Sequence, residues 1–433
     1  MPLKKFSQKI SWIEPLIFAK NIAANHQGQD WIFLYSALNE SIKNSYSYIA
    51  IFPNKKISSG NFLKTKKTIE SSNEKWFGYL SYEVGAEFEK TVKTKNSAII
   101  LPKIYLVNFA VIFEFNHEKK ILKAIFDDKK KLQEALRIKD LKAEEELKNS
   151  TVVKKISSNF TNKSYLNAIS DIKEMIGSGD FYQTNLTRKF FGEFEKKQNQ
   201  QSAFYLFSEL AKSSPGNYMA FMKLDKNFVL SSSPELFIKI EKGQILSRPI
   251  KGTAPRASSA SEDLKNKNAL KNSPKERAEN LMIVDLVRND LARICKAGSV
   301  KVDRLFDITS YKTIHHMSSE VSGQLDKKFS NLDALQACFP PGSMTGAPKI
   351  KAMEVAAKKE KIDRGIYSGC IGFFDGKKST NLSVVIRTLI IQEKKFEFQA
   401  GGAITFDSSP EAELAEVFNK TKAITRLLNI KNE

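Results

Sequence analysis

Two short stretches present the same pair of acids. In Ser273-Pro274-Lys275-Glu276-Arg277-Ala278-Glu279, two glutamates stand three residues apart, and the spacing recurs at Glu413 and Glu416 after Ser409-Pro410. Ser-Pro is a helix start: the serine caps free N–H groups and the proline fits the first helical position. Residues three apart then share a helix face. Ser273 with Glu276 also fits a capping box. Four carboxylates offered from two helices suit a hard divalent cation such as Mg²⁺, which takes few protein carboxylates and keeps waters and substrate oxygens. Glutamate in a first turn also complements the helix dipole, so spacing alone leaves both readings open. A second chemistry centres on Lys251 in Arg248-Pro249-Ile250-Lys251-Gly252-Thr253. Proline fixes φ on one side and glycine frees the backbone on the other, so the lysine between them can be aimed at a site. A free lysine titrates near ~10.4. To act as a nucleophile it must be desolvated or placed near cations, and Arg248 and Arg256 flank it in sequence. Arg387 offers a bidentate fork for a carboxylate, or a structural salt bridge. His316, beside His315, is one of only four histidines and is either structural or a proton-transfer group.

Composition bounds what can surround these groups. With 433 residues, 41% of them hydrophobic, the chain can bury a sizeable core. No apolar run approaches the roughly 20 residues that span a membrane, and the basic N-terminus lacks a signal-peptide apolar stretch. Cys295, Cys338 and Cys370 show no CxxC spacing, which argues against a disulfide framework or zinc site and for a reducing cytoplasm. The net charge of +21 would attract anions, nucleic acid included, but the lysines are spread along the chain and no aromatic-basic recognition motif accompanies them. A nucleic-acid-binding protein is thus the distant alternative, and neither nucleic acid nor membrane is expected as a partner.

The elements that must position these groups read as mixed. Strands are expected over 31–35, 48–52, 76–82, 218–222, 228–230, 236–240 and 396–400, and the apolar runs 97–102 and 384–391 are strand-sized. Helices are expected over 165–176, ending at Gly177-Ser178-Gly179-Asp180, over 136–147, and from Ser273 and near Ser409. The fold class is α+β, with antiparallel sheets forming a sandwich-like core and helices packed outside. The Lys/Glu-rich stretch around 117–155 divides an N-terminal region (1–155) from a second region (156–433) that carries the candidate chemistry.

Further ordered motifs accompany Lys251 and the glutamates. They are Ser178-Gly-Asp-Phe-Tyr-Gln183-Thr-Asn-Leu186, Ser231-Ser-Ser-Pro-Glu235, Phe339-Pro-Pro-Gly-Ser-Met-Thr345-Gly346-Ala-Pro-Lys349, Tyr367-Ser-Gly-Cys-Ile-Gly372, Ile386-Arg387-Thr-Leu389, Ala400-Gly401-Gly402-Ala403 and Asn419-Lys420. Over about 165–428 this set resembles the chorismate-utilising enzymes, the family of anthranilate synthase component I and aminodeoxychorismate synthase component I. Pro341 stands where glycine is commoner. The resemblance implies that Glu279 and Glu416 ligate Mg²⁺, with Glu276 and Glu413 acting through water. It implies a chorismate site built from Gln183, Gly252, Thr253, Thr345, Gly346, Tyr367, Arg387, Gly401, Gly402, Ala403 and Lys420. It makes Lys251 a covalent nucleophile, Glu235 a general acid/base and His316 a polarising or proton-transfer group near the leaving hydroxyl.

Two positions select the reaction that the resemblance implies. Lysine at 251 is the form of the aminodeoxychorismate synthases, where anthranilate synthases usually carry Ala. Gln183 argues against the isochorismate and salicylate synthases, which use Lys there to activate water. The implied reaction is Mg²⁺-dependent conversion of chorismate and ammonia to 4-amino-4-deoxychorismate for 4-aminobenzoate and folate synthesis, with a separate lyase downstream. Anthranilate synthase component I is the alternative. No cysteine sits in a G-x-C-x-G elbow, so a glutamine amidotransferase (glutaminase) subunit is implied as the ammonia source. Asn217-Tyr218-Met219 resembles a tryptophan-site strand of the family, and Leu38-Asn-Glu-Ser41 weakly resembles its inhibitor motif.

Overall fold

The computed structural model describes residues 5–38, 45–89, 97–141, 151–311, 314–376 and 378–430. The elements in chain order are β1 (Phe6–Ile10), α1 (Pro15–Asn25), β2 (Trp31–Tyr35), β3 (Tyr46–Ser59), α2 (Phe62–Glu70), β4 (Lys75–Leu80), α3 (Gly85–Phe88), β5 (Ile104–Asn116), β6 (Ile121–Phe126), α4 (Lys129–Asp140), β7 (Val153–Ser158), α5 (Asn162–Gly177), β8 (Gln183–Phe194), α6 (Gln200–Ser213), β9 (Tyr218–Leu224) and β10 (Asn227–Ser233). There follow β11 (Leu236–Glu241), β12 (Gln244–Arg248), β13 (Ile250–Pro255), α7 (Ala260–Asn272), α8 (Pro274–Ala292), β14 (Lys301–Ser310), β15 (Ile314–Gln324), α9 (Asn331–Cys338), α10 (Gly342–Thr345), β16 (Gly346–Ala347), α11 (Lys349–Glu360), β17 (Cys370–Asp375), β18 (Ser379–Val384), β19 (Thr388–Gln392), β20 (Lys395–Ile404) and α12 (Pro410–Leu427).

The strand pairings are antiparallel and link into one continuous sheet that folds over itself. One layer runs β7–β8–β20–β19–β10–β9–β2–β3–β5. Across β5 it continues through β4–β17–β18–β11–β12–β15, and β15 also holds β13 and β14. Strands from the first 155 residues therefore hydrogen-bond to later ones, β2 to β9 and β4 to β17. Between the layers lies a core containing Ile32, Phe77, Tyr79, Val107, Met222, Val229, Ile371 and Val385. The outer faces are covered by helices. Phe204 and Phe207 of α6, Tyr165 of α5 and Val417 of α12 belong to one outer cluster, and Ile283 and Val287 of α8 to the other. This is the expected α+β sandwich with helices outside.

Several local expectations are corrected. The run 97–102 forms no strand; Ile99 is buried, Ile100 is exposed, and pairing starts at Ile104. Tyr82 lies in a 3₁₀ turn after β4. The run 384–391 is split between β18 and β19, because Arg387 adopts φ 50°. The 136–147 helix is the end of α4, and 142–150 lie outside the described residues. All three cysteines are free and buried. No helix among the described residues is long and apolar enough to cross a membrane.

Candidate active site

Lys251 sits in a β-bulge. Ile250 pairs with Ser318 and Thr253 with His316, so two residues of β13 oppose Met317 alone. Gly252 takes up the bulge at φ 90°, a conformation that glycine adopts without strain. A Cβ on Gly252 would lie 2.8 Å from Glu276 Oε2, so the bulge brings Lys251 up to the start of α8. The charge of Lys251 acts on Glu235, Glu276 and Glu416. Arg248 and Arg256, which flank Lys251 in sequence, are each engaged by a carboxylate of their own. Arg248 is ion-paired with Glu320, and Arg256 Nε lies 2.7 Å from Asp263. The charges facing the lysine are carboxylates.

Glu235 is 4% exposed, and burial pushes its carboxyl up to about 7. Ser343 Oγ donates to it at 2.6 Å, and Lys251 also pulls against the shift. His316 lies on β15, 2% exposed, with both ring nitrogens unpartnered. Burial, helped by the charge of Arg387, pushes its pKa down to about 3, so the ring is neutral at pH 7. Gln183 is fully buried at the start of β8 with neither end of its amide bonded, and Asn185 Oδ1 and Asn280 Nδ2 are also orphaned. Buried polar groups are ordinarily paired, so these atoms are free to bond a polar ligand. Arg387 is half-buried at the break between β18 and β19, and burial lowers its pKa. Among the described residues its guanidinium has no ion-pair partner, which favours the ligand fork over the structural salt bridge.

The acidic pairs stand where the helix starts put them. Ser273 Oγ accepts from the Glu276 N–H at 3.3 Å and Ser409 Oγ from the Ala412 N–H at 3.4 Å. The reciprocal half of the expected capping box at Ser273 does not form, because the Glu276 carboxylate turns toward Gly252. Burial, then the charge of Glu279, raises the Glu276 carboxyl; burial, then Glu416, raises that of Glu413. Burial opposes ionisation of Glu416 as well, but Lys420, 2.6 Å away, together with Lys251 and Lys275, lowers it overall. Glu413 Oε1 accepts from Ser408 Oγ at 2.8 Å, while its buried Oε2 has no partner. A Cβ on Gly402 would overlap that oxygen and lie 3.6 Å from Glu416 Oε2. No group of three acidic, His or Cys side chains among the described residues already converges as a metal cage. The donor set nonetheless fits a hard cation: oxygen ligands, one of them buried and unpaired, on two facing helix starts beside a residue with no side chain.

The remaining predicted residues are partly gathered here. β20 pairs with β8 along its length but with β19 only as far as Phe398, which leaves one edge open at Gly401, Gly402 and Ala403. Lys420 Nζ donates to the Gly401 carbonyl at 2.8 Å on that edge. Tyr367 is buried, and burial holds its hydroxyl well above the usual phenol range. Gly346 pairs with Thr184 of β8, and the Thr345 hydroxyl bonds back to the carbonyls of Pro341 and Gly342. Thr253 is exposed opposite His316. The three tryptophan-site residues do not share a pocket. Asn217 and Tyr218 line a cavity of about 80 Å³ that also holds His316 and Tyr311, whereas Met219 packs into the outer core. Of the inhibitor motif, residues 39–41 lie outside the described residues. Sequence reasoning missed Ser343, although it lies inside a quoted motif, and Lys275, whose i,i+4 spacing to Glu279 was visible. It also missed Arg364, whose guanidinium holds Glu360 at 2.7 Å and the carbonyls of Met344 and Asn185, bracing the loop behind the site.

Residues 17–426 match the chorismate binding enzyme family, and the chain belongs to it. Among individual relatives it is 34% identical over 352 residues to aminodeoxychorismate synthase component 1 of Escherichia coli, covering 81% of this chain and 76% of that one. It is 37% identical over 276 residues to anthranilate synthase component 1 of Aquifex aeolicus, covering 64% and 55%. The fold is similar to the crystal structure of anthranilate synthase component I from Streptococcus pneumoniae, with a TM-score of 0.79 at 25% identity over 89% of this chain and 93% of that one. The chain is therefore an enzyme of the chorismate-converting class.

Proposed function

We propose that the chain is component I of an aminodeoxychorismate synthase, which replaces the C4 hydroxyl of chorismate with an amino group. The reading rests above all on Lys251, aimed by the β13 bulge among Glu235, Glu276 and Glu416. The Lys251 amine adds to C2 of the ring as the C4 hydroxyl leaves, protonated, as water. Ammonia then forms the C4–N bond and the lysine amine departs from C2. The net reaction is chorismate plus ammonia to 4-amino-4-deoxychorismate plus water. Glu235, titrating near 7, serves as the proton acceptor for the lysine ammonium and can return that proton to the leaving hydroxyl. The neutral His316 polarises the hydroxyl by hydrogen bonding. Arg387 and Lys420 hold carboxylate. Glu279 and Glu416 would hold Mg²⁺, with Glu276 and Glu413 positioning its waters, and the bound cation would supply electrostatic stabilisation at the ring carboxylate. A glutaminase subunit supplies ammonia, and the product feeds 4-aminobenzoate and folate synthesis in the cytoplasm.

The test is product identification. Incubated with chorismate, MgCl₂ and ammonium, the enzyme should yield 4-amino-4-deoxychorismate, with no release of pyruvate. Lys251→Ala should lower turnover by at least ~10²-fold while keeping the thermal midpoint. Anthranilate and pyruvate as main products, or full turnover without Lys251, would overturn the reading.

A further inference from the structure

Lys275 reaches into the acidic cluster from the first turn of α8. Its Nζ lies 4.0 Å from Glu279 Oε1 on its own helix and 3.8 Å from Glu413 Oε1 on α12. Among the described residues it is the cation ion-paired to both helix starts: Lys251 acts on Glu276 and Glu416 without such a pair, and Lys420 pairs with Glu416 on its own helix and is tied to the Gly401 carbonyl. The charges acting on Lys275 are those of Glu279, Glu413, Glu276 and Glu416 together. Its side chain is 52% exposed, so it can leave for water at little cost in packing. Glu413, 2% exposed, still keeps Oε2 unpartnered, so the lysine does not satisfy the cluster.

We infer that Lys275 is a built-in counterion that holds the two acidic pairs together in the metal-free protein and is displaced when the divalent cation enters. Charge supports the exchange. With their ordinary charges, the four carboxylates and the ammonium groups of Lys251, Lys275 and Lys420 carry one net negative charge. Once Lys275 swings out, two negative charges remain, which a dication neutralises. Two point contacts near 4 Å suit this role, because a half-exposed ion pair at that distance is weak enough to give way. Lys275 is in this sense a positioning residue that sets cation affinity without touching chorismate.

The inference rests on the Mg²⁺ assignment, and one set of titrations separates the two. Isothermal titration of MgCl₂ into the metal-free full chain is compared for wild type, Lys275→Met and Lys275→Arg. Lys275→Met should bind Mg²⁺ about three- to tenfold more tightly, and its metal-free thermal midpoint should fall, because the cluster has lost its counterion. Lys275→Arg, which keeps the charge, should behave as wild type in both. Equal or weaker Mg²⁺ binding by Lys275→Met, with wild-type binding intact, overturns the counterion role alone. No Mg²⁺ binding by wild type overturns the metal assignment and the inference with it.

Discussion

Glu235 and His316 show how burial sets two groups to opposite ends of their proton equilibria. Burial favours the neutral form of each, so the carboxyl rises to about 7 and the imidazole falls to about 3. The carboxyl can then move a proton near neutral pH and the imidazole cannot. The raised carboxyl also carries a stability cost whose sign is fixed. Below pH 4.5 the group is protonated in both folded and unfolded states and costs nothing. As pH rises from 4.5 towards 7 the unfolded chain loses the proton while the folded one keeps it, so stability falls; above 7 the full penalty applies, at most about 3 kcal/mol. Glu235→Gln removes the penalty and keeps an acceptor for Ser343. The variant should lose turnover yet gain stability over wild type, by about 2 kcal/mol more at pH 8 than at pH 5. Urea unfolding at the two pH values measures the gap, and a gap independent of pH would show that the carboxyl is not held protonated.

At the scale of elements, two adjacent glycines of β20 do different work. A Cβ on Gly401 would overlap the Leu186 carbonyl and lie 2.7 Å from Thr187 Cα, both backbone atoms of the paired strand β8. A Cβ on Gly402 would instead meet the tip of Glu413. Gly401→Ala should therefore destabilise the fold by about 1–3 kcal/mol through overpacking. Gly402→Ala should leave the unfolding midpoint nearly unchanged but weaken Mg²⁺ binding about tenfold by displacing an outer carboxylate. Denaturation and Mg²⁺ titration of the two variants check the split, and equal effects on both readouts would refute it. What was legible in the sequence follows the same division. The Ser-Pro helix starts at 273 and 409 were readable because capping is local, and they carry the glutamate pairs to the predicted faces. The break at Arg387 was not readable, because Val384-Val-Ile-Arg-Thr-Leu-Ile-Ile391 has the apolar content of one strand and the positive φ comes from tertiary context. Glu276 was misread as a reciprocal cap because the local motif was complete, while its carboxylate answers to the remote bulge at Gly252. Lys275 was passed over because its second partner, Glu413, is distant in sequence.

At the scale of the whole molecule, the site is a product of the folded-over sheet. Gln183, Gly401 and Gly402 come from the β8–β20 pair and Glu235 from the link between β10 and β11, while Lys251 and His316 come from strands that the ladder reaches only through β2, β3, β5 and β4. The motifs named in the sequence as chemistry all fall after residue 156, yet their placement depends on strands before it. Removing residues 1–155 would unpair one edge each of β9 and β17 and strip Trp31 and Phe33 from the aromatic cluster with Phe204, Phe207 and Phe221. It would also take Phe77, Tyr79 and Tyr105 from between the layers. Each buried aromatic lost costs about 3 kcal/mol or more, and the several lost here exceed the roughly 5–15 kcal/mol that holds a domain folded. A fragment of residues 156–433 should therefore show no cooperative thermal transition and should expose apolar surface to a hydrophobic dye. Circular dichroism melts of the fragment beside the full chain decide it. A sharp transition with retained chorismate binding would mean that the later strands close a core of their own.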